Sequence, residues 1–100
     1  MGPSHLHHLD ELAARRVGQP HAGPEILVLG AVGFDDGRTL IEAVRRGVTV
    51  LLDTRSLIGS YRQRLLDYCA GAVNAMDGQA HRAGEDTYLF APALARIQAV

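Results

Sequence analysis

From about Glu25 onward, the spacing of apolar positions changes in an orderly way along the chain. Residues 26–29 are an unbroken apolar run of strand length, and the glycines within 30–33 bend the chain after it. Leu40, Ile41 and Val44 then recur at helical spacing. Asp35 or Asp36 is placed to N-cap that helix, while Arg45, Arg46 and Gly47 put cations and a left-handed cap at its other end. Residues 48–52 are rich in β-branched side chains with almost no polar alternation, as in a strand covered on both faces or lying mid-sheet.

A longer helix is predicted over residues 59–76. Tyr61, Leu65, Tyr68, Cys69, Ala72, Val73 and Met76 fall at steps of three and four, and Arg62, Arg64, Asp67 and Asn74 fall largely elsewhere. Asp77-Gly78 ends it. Residues 79–83 and Thr87–Ala91 read as two strands joined by Gly84-Glu85-Asp86, a hairpin-type linker. Pro92 closes the second strand, and residues 97–100 are expected to add a last edge strand. The order is βαβαβββ, an α/β fold of the α+β sandwich kind with two helices packed on a small mixed β-sheet.

Residues 1–24 break this regularity. They hold three of the four prolines and four of the five histidines, with only Leu6, Leu9, Leu12 and Ala13 as an apolar set. They read as a flexible N-terminal segment with at most a brief amphipathic helix, and residues 25–100 as one core domain.

Composition narrows the functional classes. Ten basic residues, all Arg, stand against eleven acidic ones, for a net charge of -1. The excess positive field that supplies non-specific nucleic-acid affinity is missing, so no nucleic-acid partner is expected. The apolar runs fall far short of the roughly 20 residues a spanning helix needs. The single Cys cannot make an internal disulfide, which points to a reducing cytoplasm.

The candidate chemistry is sparse. Residues 30–37, GAVGFDDG, place three glycines between a strand and a helix, but the spacing is not that of a dinucleotide loop, and Asp35 and Asp36 would repel a phosphate. His5, His7 and His8 have no partner ligands at a finger-like spacing, and His81 stands alone in a strand, so no metal site is expected. Cys69 lies on the apolar helix face with no charge to lower its pKa. Asp53-Thr54-Arg55-Ser56 sits at the carboxyl end of a strand, a favoured place for sites in α/β sheets, yet has no companion His base. No enzyme activity and no cofactor are expected. Gly71 costs about 1 kcal/mol relative to Ala in a helix interior. Flanked by Ala70 and Ala72, one turn from Tyr68, it leaves a low-relief strip suited to a second helix.

The second half of the chain resembles the SepF family of cell-division proteins. VTVLLDTRSL, RLLDYCAGAVNAMDG and QAHRAGEDTYLFAP follow one another in the order and at the intervals of the family pattern. Arg64, Leu65, Asp67, Tyr68, Gly71, Gly78, Arg82, Tyr88, Leu89 and Pro92 carry the match. Residues 48–100 are covered well, and 26–47 by layout alone. Asn74 stands where the family helix has an aromatic, and Gly30-Ala31 where Arg-Pro follows the first strand. The resemblance implies a non-enzymatic, dimeric adaptor of bacterial cell division that binds the C-terminal tail of FtsZ and helps organise the division ring, with higher polymers as an extension. It assigns Arg82 and Tyr88 to the tail-binding groove and Gly71 to a helix interface for self-association; Phe90 is added to the tail-binding set, and Tyr61, Leu65, Tyr68 and Ala72 of the same apolar helix to the self-association set. Such a protein would be cytoplasmic and recruited to the division site. Residues 1–24 are too short and too poor in large apolar side chains to bind a bilayer strongly.

Three alternatives stand beside this reading. One is a divergent SepF-like paralogue that modulates division without a membrane anchor. Another is a STAS-type anti-sigma-antagonist domain, in which Ser60 would sit near the phosphorylated position. The third is a small-molecule or enzymatic α/β domain that uses Asp53 to Ser56.

Overall fold

The computed structural model describes residues 25–98. The segment 1–24, with its histidines and its leucine set, lies outside the described residues. The first apolar run forms strand β1 (Ile26–Gly30) and the helical spacing after it forms α1 (Asp36–Arg45). The β-branched run is β2 (Thr49–Asp53), and the long apolar stripe is α2 (Gly59–Ala75). The hairpin is β3 (Gln79–Arg82) and β4 (Thr87–Ala91).

The strands form one sheet in the order β1-β2-β4-β3. β1 runs parallel to β2, with α1 as the crossover, and β4 is antiparallel to both β2 and β3. β2 is therefore central by position. Val50 and Leu52 are fully buried, whereas Leu51 is only half-buried. Its apolar character reflects a mid-sheet place rather than cover on both faces.

Both helices lie on one face. Leu40, Ile41 and Val44 of α1 and Leu65, Leu66, Cys69 and Val73 of α2 meet Leu29, Val50, Leu52 and Phe90 from the strands in a single core. Each such side chain contributes about 1.5–3 kcal/mol when removed from water. Among the described residues no helix or strand covers the other face, where Ile26, Val28, Leu51 and Leu89 emerge.

The ends of the elements follow their local chemistry. Gly47 takes φ +91° after α1, the left-handed cap expected there. After α2 it is Asp77, at φ 60°, that takes the left-handed turn. Gly78 is needed for a different reason: a Cβ there would lie 2.6 Å from the Ala91 carbonyl oxygen and 2.6 Å from Val73 Cγ1. At the start of α1, Asp35 stands in the N-cap position without a side-chain bond. Asp36 works backwards instead, its Oδ2 accepting the Val32 and Gly33 amides at 2.7 and 3.1 Å.

One predicted element does not form. Ile97 and Gln98 are not in a strand, so the order is βαβαββ over the described residues. Pro92 ends β4, and the Ala95 amide turns back onto its carbonyl. Gln79 Nε2 then donates to the carbonyl of Ala95 at 2.7 Å, which holds the tail across the start of β3 and off the ladder.

Candidate functional site

The hairpin and α2 enclose an open groove of about 290 Å³. Gln63, Leu66, Asp67 and Ala70 form its helix wall, and Ala80, His81, Arg82, Tyr88 and Phe90 its sheet wall. The register explains this convergence. Arg82 lies opposite Tyr88 and Ala80 opposite Phe90, so the pleat directs these four side chains to the helix-covered face. Phe90 is only 2% exposed and belongs to the core. It forms the groove's floor rather than a free contact. Tyr88 is half-buried and packs against the same core.

Arg82 is exposed but not loose. Its Nε donates to the Gly84 carbonyl and its Nη2 to the Glu85 carbonyl, both at 3.0 Å. That turn is itself fixed from below. The amide and hydroxyl of the fully buried Thr54 both donate to the Asp86 carbonyl, and Arg62 Nη1 lies 3.3 Å from Asp86 Oδ1. Arg62 also donates through Nη2 to the Leu57 carbonyl. The end of β2, the start of α2 and the hairpin turn therefore brace the exposed Arg82 guanidinium, which keeps N–H groups that the two turn carbonyls do not use.

The residues assigned to self-association do not form one surface. At about 100° per residue, Gly71 points nearly opposite the buried pair Cys69 and Val73. Among the described residues, no heavy atom beyond its chain neighbours and the adjoining helix backbone lies within 4 Å of where its Cβ would be. Tyr68 is 44% exposed and stacks on Phe34 with ring centroids 4.9 Å apart. Leu65, by contrast, is buried in the core, and Ala72 is half-buried against it. Tyr61 is exposed at the far end of the helix, on the rim of a different hollow. That hollow, of about 430 Å³, lies beyond the carboxyl ends of β1 and β2, with Val32, Phe34, Leu57 and Ile58 among its walls. Periodicity missed it because two loops join α2 residues Tyr61 and Leu65 in its walls. The available signal was the apolar content of those loops, GAVGF and SLIG.

The other polar clusters are engaged within the chain. The Asp36 carboxylate occupies the loop amides that a phosphate would use. Asp53 accepts from Arg55 Nε and Nη2, a contact that holds its carboxyl below the usual carboxylate range. Burial pushes the Cys69 thiol up to about 12. Among the described residues no group of three or more His, Cys, Asp or Glu side chains gathers as metal ligands would. No helix among them is long and apolar enough to cross a membrane.

These features define a class: a two-layer α/β domain with both helices on one face of a mixed sheet and a groove between the longer helix and a terminal hairpin. Residues 26–97 match the family described as cell division protein SepF, and the chain belongs to that family. It is 34% identical over 76 residues to the cell division protein SepF of Synechococcus sp. (strain RCC307), covering 76% of this chain and 42% of that protein. It is 33% identical over 84 residues to the protein of the same name from Synechococcus sp. (strain CC9605), covering 81% and 45%. The chain thus spans less than half the length of these curated relatives. Among solved structures, a SepF-like protein from Archaeoglobus fulgidus superposes with a TM-score of 0.69 at 17% identity, over 74% of this chain and 92% of that one. A SepF-like protein from Pyrococcus furiosus gives 0.67 at 12% identity, over 80% and 99%. These two share the fold. The STAS alternative falls with this result, since a hairpin follows α2 where that fold continues its β-α alternation.

Proposed function

We propose that the chain is a non-enzymatic, dimeric adaptor of cell division that binds the C-terminal tail of FtsZ in the groove between α2 and the hairpin and helps organise the division ring. The observation that carries this reading is the braced Arg82 fork beside an apolar trough of Leu66, Ala70 and Tyr88 over Phe90. A tail that orders on binding must recover its lost conformational entropy. A preformed trough and a pre-oriented cation keep the protein's own share of that cost small. Arg82 pairs a tail carboxylate, and apolar tail side chains fill the trough. Self-association uses the outward strip of α2 around Tyr68 and Gly71, where the glycine's cost to the helix has no return in packing among the described residues.

Titration calorimetry of the full chain with the FtsZ tail peptide tests this reading. Tyr88→Ala and Arg82→Glu are each expected to weaken binding about tenfold or more, as for loss of a charged or aromatic anchor. Arg82→Lys, which keeps the charge but not the fork, falls between. Absence of heat with every FtsZ tail tried overturns the proposal.

A further inference from the structure

Arg82 is oriented by two carbonyls of the turn that follows it, those of Gly84 and Glu85, each 3.0 Å from a guanidinium nitrogen. Whatever sets the turn therefore sets the cation. The turn is closed locally by the amides of Ala83 and Gly84, which both donate to the Thr87 carbonyl. It is tied to the rest of the protein at Asp86, through two different atoms. The Asp86 carbonyl accepts from the amide and hydroxyl of Thr54 at 2.8 and 2.9 Å, and the carboxylate lies 3.3 Å from Arg62 Nη1. One tie leaves a pivot. A second tie, on a different branch of the same residue, removes it.

Arg62 differs from an ordinary surface ion pair. Its side chain is 33% exposed and that of Asp86 27%. Nη2 donates to the Leu57 carbonyl at 3.2 Å, so the guanidinium is pinned to the loop before its own helix while Nη1 reaches the hairpin. Nε is buried and has no hydrogen-bond partner among the described residues. A buried N–H without an acceptor is a cost to the fold, and an ion pair this accessible contributes little against it. An aliphatic side chain of similar length would fill the same space without that cost. What the guanidinium adds is the span from Leu57 to Asp86. Arg62 is not one of the groove's walls, so it acts on a groove ligand only at a distance.

We propose that Arg62 is a positioning residue for tail binding: by pinning the Asp86 carboxylate to the start of α2, it fixes the turn whose carbonyls orient Arg82. Its use in binding rests on the groove reading above; its geometry rests on the bond network alone. The contacts run from Leu57 through Arg62, Asp86 and the turn to Arg82. The planar fork of a guanidinium can serve two acceptors that lie apart, which the single ammonium of a lysine does less well. A loosened link lets Arg82 sample other rotamers, and a bound carboxylate must then order it again. The ordering of one long side chain corresponds to roughly two- to tenfold in affinity.

Two measurements on the full chain test this, the first without a ligand. In isotope-labelled protein, the Nε–H resonance of Arg82, assigned by its loss in Arg82→Lys, reports solvent exchange of the proton donated to Gly84. Arg62→Met is expected to speed that exchange several-fold, while circular dichroism shows a folded chain. Asp86→Asn loosens the same link from the other side, keeps the carbonyl that Thr54 uses, and is expected to do the same. Arg62→Lys falls between. In calorimetry with the FtsZ tail peptide, Arg62→Met weakens binding by roughly two- to tenfold. Its loss and that of Arg82→Ala do not add, because both act through one guanidinium, whereas its loss and that of Tyr88→Ala do add. A merely structural Arg62 would lower affinity equally in all these backgrounds. Unchanged Arg82 exchange in folded Arg62→Met and Asp86→Asn chains overturns the proposal, and so do additive losses for Arg62 and Arg82. A wild-type chain that binds no tail, with Arg82 exchange accelerated in both variants, overturns the groove reading and leaves Arg62 as the residue that orients Arg82.

Discussion

Gly37, Gly71 and Gly78 show how one residue type answers three physical demands. At Gly37 a Cβ would meet the Tyr68 ring and a Leu65 methyl at 2.9–3.0 Å, so its absence lets α1 and α2 approach. At Gly78 the obstacle is the Ala91 backbone carbonyl, which cannot move aside as a flexible side chain can. Gly78→Ala is therefore expected to destabilise the fold by about 3 kcal/mol, the upper range for overpacking, measured by urea denaturation. A Cβ at Gly71 would meet nothing within 4 Å among the described residues beyond its own helix. Gly71→Ala is expected to raise monomer stability by up to about 1 kcal/mol, while sedimentation shows weaker self-association. Those opposite signs distinguish a contact glycine from a packing one. That Gly71 is costly was legible from its place between Ala70 and Ala72 in a helical run. The close approaches at Gly37 and Gly78 were not, because the atoms that a Cβ would meet there come from α2 and β4.

At the scale of elements, apolar spacing and turn signals placed the two helices and four strands of the described residues, since both signals are local. Ends and connections followed less closely. The loop before α1 is closed by Asp36, whose carboxylate bonds the amides of Val32 and Gly33. Asp36→Ala leaves those amides without a protein partner and is expected to cost about 1–3 kcal/mol in urea denaturation; Asp36→Asn, which keeps an acceptor, recovers part of it. The expected strand over residues 97–100 has the apolar content of an edge strand. Ile97 and Gln98 nevertheless stay out of the ladder because Gln79 bonds the Ala95 carbonyl and holds the tail at the start of β3. A long-range side-chain bond of this kind has no local signature. The second helix shows the same limit. Tyr61 and Tyr68 share the spacing of the core residues, but the core takes Leu65, Leu66, Cys69 and Val73, leaving both tyrosines at the rim.

In the molecule as a whole, the groove beside the hairpin and the outward strip of α2 are distinct surfaces. Sites without shared partners contribute independently. Arg82→Glu is therefore expected to leave the sedimentation profile unchanged, and Gly71→Lys to leave the protomer's affinity for the FtsZ tail within about twofold. Strong coupling between the two, measured by calorimetry on both variants and their combination, would place the groove at the self-association contact. Of the groove residues, Arg82, Tyr88 and Phe90 were legible through the ordered family pattern. Leu66 and Ala70, the opposite wall, were not, because they become a wall only when α2 is laid against the hairpin.

The amino-acid sequence by itself determined the six elements that the described residues form, their order, the glycine cap after α1, the hairpin and the family, because each rests on local spacing or on an ordered set of short motifs. Only the tertiary structure decided which side of α2 is core, how the turn at Gly84 to Asp86 braces Arg82, and that no helix or strand among the described residues covers one sheet face. The physical reason is that periodicity orients a side chain about the axis of its own element, whereas burial, bracing and exposure depend on the neighbours that folding brings to that element.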